Sequence, residues 1–224
     1  MATARFKDLC IDAADARRLG GFWAKVLGRR LLMHDDGDAQ LDGERPEERI
    51  WINVVPEPRT VKHRVHLDVA TDDPGALRKL GATVLRASDD EIDWTVMADV
   101  EGGEFCAVPR GQAGRLLTLT IDAVDARSQA RWWGEVLDSP VARYRDGWWF
   151  VRDIPTAPFR AMLFIEVPEP KTIKNRVHWD LTADDHQALV KQGARVLREP
   201  DNVIDWWVLA DPEGNEFCAF HPTG

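Results

Sequence analysis

The chain has 224 residues, 44% hydrophobic and 30% charged, which suits one or two domains with ordinary packed cores and is too apolar for a disordered chain. Thirty-eight acidic residues outweigh 29 basic ones, a net charge of −9, and no Lys/Arg run offsets it, so nucleic acid and anionic membranes are set aside as partners. No apolar stretch approaches the roughly 18–20 residues of a membrane span. The start, MATARFKDLCID, has no apolar signal core, so a cytoplasmic location is expected.

The first alternating run, residues 7–12 (KDLCID), reads as a strand with Leu9 and Ile11 on one face and Asp8, Cys10 and Asp12 on the other. A helix follows. Leu19, Phe22, Trp23, Val26 and Leu27 fall at i, i+3, i+4, i+7 and i+8, with Asp15 placed to cap the start and Gly28 to stop the end. The run RIWINVV is strand-like and ends at a PEP turn. Residues 64–69 alternate again, Val65, Leu67 and Val69 opposing Arg64, His66 and Asp68. A second helix opens at TDDPGAL, where Asp72 or Asp73 can cap and Pro74 suits the first turn, and closes at Gly81. Three short strands complete the unit: TVLRA, DWTVMAD and EFCAV, the last two joined by a DVEGGE turn.

The same order then repeats. LTLTID opens the second copy, with Thr118, Thr120 and Asp122 on its polar face. Gln129, Trp132, Trp133, Val136 and Leu137 keep the helix register, and AMLFIEV again ends at a PEP turn. Val177, Trp179 and Leu181 oppose Arg176, His178 and Asp180. His66 and His178 are 112 residues apart, as are Phe105 and Phe217, while Trp23 and Trp133 are 110 apart. Almost the whole chain is one unit written twice, so a repeat architecture follows. The boundary falls in PRGQAGR, giving domains at residues 1–110 and 112–224. Each half reads as two β-α-β-β-β modules.

The three cysteines are Cys10, Cys106 and Cys218, an odd count, and two of them are repeat equivalents. That argues against a disulfide framework and fits a reducing compartment. Seven of the ten tryptophans lie after residue 115. They fill core and interface or, for some, line a pocket for a flat apolar ligand.

HLDVATDD and HWDLTADD resemble the opening strand of a vicinal-oxygen-chelate module, DPEGNEFCAF its closing strand and FWAKVLG its first helix. VPEPKTIKNRVHWDL resembles the glyoxalase-like domains of that superfamily, which spans glyoxalase, bleomycin-resistance and dioxygenase types. The resemblance implies an α+β fold: two tandem glyoxalase-like domains, each of two βαβββ modules forming a cupped mixed sheet with helices outside. It implies ligand binding on the inner face, often on a divalent metal. A tandem chain then looks like a fused pair, a monomeric pseudo-dimer or a homodimer of such.

Carried over residue by residue, the superfamily's metal-ligand positions are only partly kept. The first-module His position falls on Asp8 and Thr118, and the second-module one on His66 and His178. The closing-strand Glu position falls on Cys106 and Cys218, and a further one on Asn53 and Ile165. Asp8, His66 and Cys106 offer a zinc-type donor set, whereas Thr118, His178 and Cys218 form a poorer one. Cysteine in place of Glu disfavours Mg²⁺ and Mn²⁺. Exchange of modules between the halves, which would mix these sets, stays open.

Arg64 and Arg176 share the polar strand face with His66, Asp68, His178 and Asp180, where they either clamp an anionic group or pair with Asp68 and Asp180. Glu104 and Glu216, two residues before the cysteines, are candidate catalytic bases or solvated turn carboxylates. Trp207, where the first half has Thr95, is expected to narrow the cup of the second half. The first expectation is a binder of an apolar or aromatic metabolite or drug. The alternative is a metal-dependent lyase or isomerase of the glyoxalase type. A ring-cleaving dioxygenase and a purely protein-binding module rank below both.

Overall fold

The computed structural model describes residues 2–222; Met1 and Thr223–Gly224, the outer ends of the two expected domains, lie outside them. The first half runs β1 (Arg5–Ala13), α1 (Ala16–Leu27), β2 (Arg30–Met33), β3 (Ala39–Asp42), β4 (Ile50–Val54), β5 (Val65–Ala70), α2 (Pro74–Lys79), β6 (Thr83–Arg86), β7 (Thr95–Ala98) and β8 (Glu104–Val108). The second repeats it: β9 (Leu116–Ala123), α3 (Ala126–Leu137), β10 (Val141–Arg145), β11 (Trp148–Arg152), β12 (Ala161–Glu166), β13 (Val177–Thr182), α4 (His186–Lys191), β14 (Arg195–Arg198), β15 (Trp207–Ala210) and β16 (Glu216–Phe220).

Local signals set most of these elements. Asp15 caps α1 by accepting from Arg18 N, and Gly28 ends it at φ 63°, a left-handed turn that glycine adopts without a Cβ penalty. Asp125 caps α3 in the same way, but Asp138 takes the left-handed position there. The strands β2, β3, β10 and β11 lie in stretches that the alternation did not single out, because each is a hairpin arm of four or five residues, too short for a clear period-2 pattern.

The eight-stranded sheets are built across the repeat. One is ordered β14-β15-β16-β13-β1-β4-β3-β2 and the other β10-β11-β12-β9-β5-β8-β7-β6. Each therefore takes the first module of one half and the second module of the other. The joins are antiparallel: β1 lies against β13, with Cys10 opposite His178, and β9 lies against β5, with Thr120 opposite His66. We call them the first and second cup, in the order of β1 and β9.

The helices tie each half together on the convex side. Trp23 on α1 packs edge-on to Phe105 of β8 and donates from Nε1 to Asp99 at 3.3 Å. Trp133 on α3 repeats this with Phe217 and with Asp211 at 3.1 Å. The Glu of each EG turn completes the arrangement: Glu101 accepts from Ala14 N and Asp15 N, and Glu213 from Val124 N and Asp125 N. These are the amides of the capping residue and the residue before it, at the entry to each long helix. One apolar cluster, including Trp133, Trp179, Phe105 and Phe217, runs continuously between the two sheets. No helix among the described residues is long and apolar enough to cross a membrane.

Candidate ligand-binding site

Alternation puts the polar residues of the central strands inside each cup. In the second cup these are Thr118, Thr120 and Asp122 from β9 with His66, Asp68 and Cys106 from β5 and β8. Their equivalents in the first are Asp8, Cys10 and Asp12 with His178, Asp180 and Cys218. Module exchange thus corrects one expectation. Asp8 lies in a different sheet from His66 and Cys106, so those three do not form a donor set. Thr118 and His178 are separated likewise.

The second cup holds a cavity of about 900 Å³. Its floor contains the polar cluster, in which Asp68 Oδ2 accepts from Thr118 Oγ1 at 2.5 Å and Thr120 Oγ1 at 2.8 Å. Asp68 Oδ1 lies 3.1 Å from His66 Nδ1. The pair is not aligned as a hydrogen bond, and both buried atoms lack another partner among the described residues. Burial alone would lower the His66 pKa, but the Asp68 and Asp122 carboxylates outweigh it and raise it. Burial, with Asp68 nearby, pushes the Cys106 thiol well up. Along the wall stand Tyr144, Trp148, Phe150, Leu163 and, from the loop just before β7 on the far side, Trp94, whose ring centroid is 6.0 Å from that of Trp148.

In the first cup aromatic and cationic side chains pack over part of the floor. Trp206 stacks on Phe220 at 5.1 Å, and Lys7 Nζ sits 4.4 Å from the Phe220 centroid while pairing with Asp8. Beneath them Cys10 Sγ donates to Asp180 Oδ2 at 3.4 Å. Burial raises the pKa of Asp180 and pushes both the Cys10 and Cys218 thiols up. His178 Nε2 lies 3.4 Å from Asp12 Oδ1, and Lys174 binds the other Asp12 oxygen at 2.6 Å. Burial works to raise the Asp12 pKa, yet these two partners hold it low.

Other expected site residues fall elsewhere. Trp207 faces the helices: it stacks on His186 of α4 at 3.6 Å. The register explains why, since Val208 opposite Cys218 is the inward residue and Trp207 opposite Ala219 is the outward one. The inward Trp is its neighbour Trp206. Arg64 and Arg176 do not pair with Asp68 and Asp180. Arg64 donates to the Glu169 carbonyl at 2.6 Å and Arg176 to the Glu57 carbonyl at 2.7 Å, each reaching the PEP turn of the other half.

Glu104 is ion-paired to Arg59 and accepts from His63 N at 2.9 Å. Glu216 accepts from Lys171 Nζ at 2.6 Å and Asn175 N at 3.1 Å. Both carboxylates tether the loop that leads into β5 or β13. Trp94, Tyr144, Trp148 and Phe150 were missed as site residues, because no alternation around them reveals which face is inward.

Two three-donor clusters come within 4.8 Å: His66, Asp68 and Cys106, and Cys10, His178 and Asp180. The imidazole, carboxylate and thiolate are zinc-type ligands. The unmatched His66 Nδ1 and Asp68 Oδ1 fit such an ion better than Mg²⁺, which prefers oxygen throughout.

Paired modules, an inward polar floor and a walled cavity define a cup protein of the vicinal-oxygen-chelate type. A family model, "Glyoxalase-like domain", matches residues 8–108 and again 118–220, and the chain belongs to that family. Among solved structures it is similar to glyoxalase I from Zea mays, at 14% identity over 97% of this chain and 92% of that one, with a TM-score of 0.67. It is similar to a putative dioxygenase from Bacillus subtilis, at 12% identity over 100% and 87%, with a TM-score of 0.68. At such identities the likeness is one of fold. No curated protein matches in sequence.

Proposed function

We propose that the protein binds a small aromatic or apolar molecule in the second cup. The observation that carries this is the cavity of about 900 Å³, walled by Trp94, Tyr144, Trp148 and Phe150. That volume lies in the range of small-molecule pockets. Flat side chains with few rotatable bonds contribute contact area at low entropic cost. The first cup, where Trp206, Phe220 and Lys7 pack together, serves as scaffold. Intrinsic fluorescence titrated with a library of aromatic metabolites and drugs tests the reading. Saturable quenching lost in Phe150→Asp supports it, and no response across the library contradicts it.

A second reading, a glyoxalase-type lyase or isomerase, is favoured by one observation, the His66, Asp68 and Cys106 cluster. These residues would hold a divalent ion such as zinc. When bound, the ion would polarise a substrate oxygen as a Lewis acid. Asp68 would orient His66, while Thr118 and Thr120 would hold Asp68. Elemental analysis after dialysis against zinc tests this. Near-stoichiometric zinc lost in His66→Ala supports it, and unchanged trace metal in both proteins contradicts it.

A further inference from the structure

The repeat gives wall residues of the second cup counterparts in the first, and at three of them, Arg145, Arg152 and Arg160, the charge is inverted; Arg145 stands where the first cup has Asp35 and lies 3.7 Å over the Trp148 ring. Pairing of β3 with β4 and of β11 with β12 makes Arg152 the counterpart of Asp42. Pairing of β1 with β4 and of β9 with β12 makes Arg160 the counterpart of Glu48. In the first cup the two carboxylates are compensated, Asp42 by Arg30 and Gln40, Glu48 by Arg45. In the second, the Arg152 and Arg160 guanidinium groups line the cavity, and among the described residues neither has an ion pair or a side-chain hydrogen bond.

The carboxylates around that cavity do not supply the missing partner. Asp89 and Glu91 pair with Arg86, Asp93 with Arg110, Asp122 with Lys62 and Glu104 with Arg59, while Asp90, which also lines the cavity, pairs with neither Arg152 nor Arg160. Asp68 is held by the two threonines and stands beside His66. Phe150 and Arg152 are two residues apart on one strand, on the same inward face, so about 7 Å separates the ring from the guanidinium stem along the wall. That is the reach of one aromatic ring bearing an acidic substituent.

We infer that the ligand of the second cup is an aromatic anion: a flat ring lies against Phe150 and Trp148, and a carboxylate or similar acidic group meets Arg152 and Arg160. A guanidinium fork matches a carboxylate bidentately, and both arginines are exposed, so the fork is free to meet an incoming acid. The inference rests on the small-molecule reading above and narrows its substrate class.

The test compares matched probes, naphthalene-2-carboxylate against naphthalene-2-carboxamide and benzoate against benzamide, by calorimetry on the full chain. The carboxylate is expected to bind about tenfold more tightly than its amide. In Arg152→Gln/Arg160→Gln this preference should fall below about twofold, with amide affinity unchanged. Circular dichroism and thermal melts check that the variant is folded, and single Arg→Lys variants, which keep charge but lose the fork, should recover part of the preference. Equal binding of acid and amide overturns the anion inference while leaving the aromatic cup standing. Binding of neither, in a folded protein, overturns both.

Discussion

The two cups share a backbone plan and a core, yet the second holds a cavity of about 900 Å³ while Trp206, Phe220 and Lys7 pack together in the first. Where the first cup's hairpin reads His34, Asp35, Asp36, Gly37, Asp38, the second reads Tyr144, Arg145, Asp146, Gly147, Trp148. Further along the same wall Gln40 and Asp42 become Phe150 and Arg152, and Trp51 becomes Leu163. The floor diverges too. Cys10 donates to Asp180 in one cup, where two threonine hydroxyls donate to Asp68 in the other. Duplication therefore preserved what folding needs, the convex packing, and let the concave faces drift apart in chemistry. Function should be lost by changes to one cup, and stability by changes to either.

The largest effects should be symmetric ones. Trp23→Ala and Trp133→Ala each empty a buried site and remove one donor from a buried carboxylate, Asp99 or Asp211. Each should cost about 3–5 kcal/mol in urea unfolding. A cost confined to one of the two would break the equivalence of the halves. The cup exchange Leu163→Trp/Phe150→Gln writes first-cup residues into the second. It should weaken aromatic ligand binding by about 100-fold or more with little change in melting temperature, because it fills the cavity and removes a ring contact. Binding that survives would move the site.

A pH difference between the halves should follow, of intermediate size. His63 is held at about 4, chiefly by burial; Glu104 favours its protonation, and Arg59 and Arg176 oppose it. The folded state therefore binds fewer protons at this residue than the unfolded chain between about pH 6.5 and 4, and stability falls as pH drops through that window. Its counterpart is Asn175, which donates to Asn215 Oδ1 at 2.9 Å and has no such liability. His63→Asn should remove on the order of 2 kcal/mol of acid sensitivity, read as the change in unfolding midpoint between pH 7 and 4. An unaltered pH profile would assign that sensitivity to other groups. The smallest effect is expected for Trp207→Phe, which changes a ring stacked on His186 outside the cup. Affinity should stay within about twofold, and a tenfold loss would return Trp207 to the site.

The repeat, the four helices and the central strands were legible because each carries its own local signal: a period-2 strand, a capped 3.6-period helix, or a second copy to compare. Cup membership was not. Pairing β1 with β13 rather than β5 depends on how the halves close on each other, and no residue in either strand records the choice. That separated Asp8 from His66 and Cys106. Trp207 is a bulky residue at the place of Thr95, but neither residue is inward; the ladder with β16 sets the inward phase at Val208. Arg64 was counted on the polar face with His66, but its length carries the guanidinium past Asp68 to the neighbouring turn. His66, Asp68, His178 and Asp180 were placed inward correctly because they sit in the middle of regular strands.

Indole nitrogen chemical shifts report both cups at once, since the protein has ten tryptophans and they fall on different faces. Tryptophan-labelled protein titrated with naphthalene-2-carboxylate, with Trp→Phe variants to assign the signals, compares the cups directly. Trp94 and Trp148 should shift saturably, while Trp206 of the first cup and the core residue Trp133 should not. Shifts centred on Trp206, or none at Trp94 and Trp148 at saturating probe, would contradict a ligand site in the second cup.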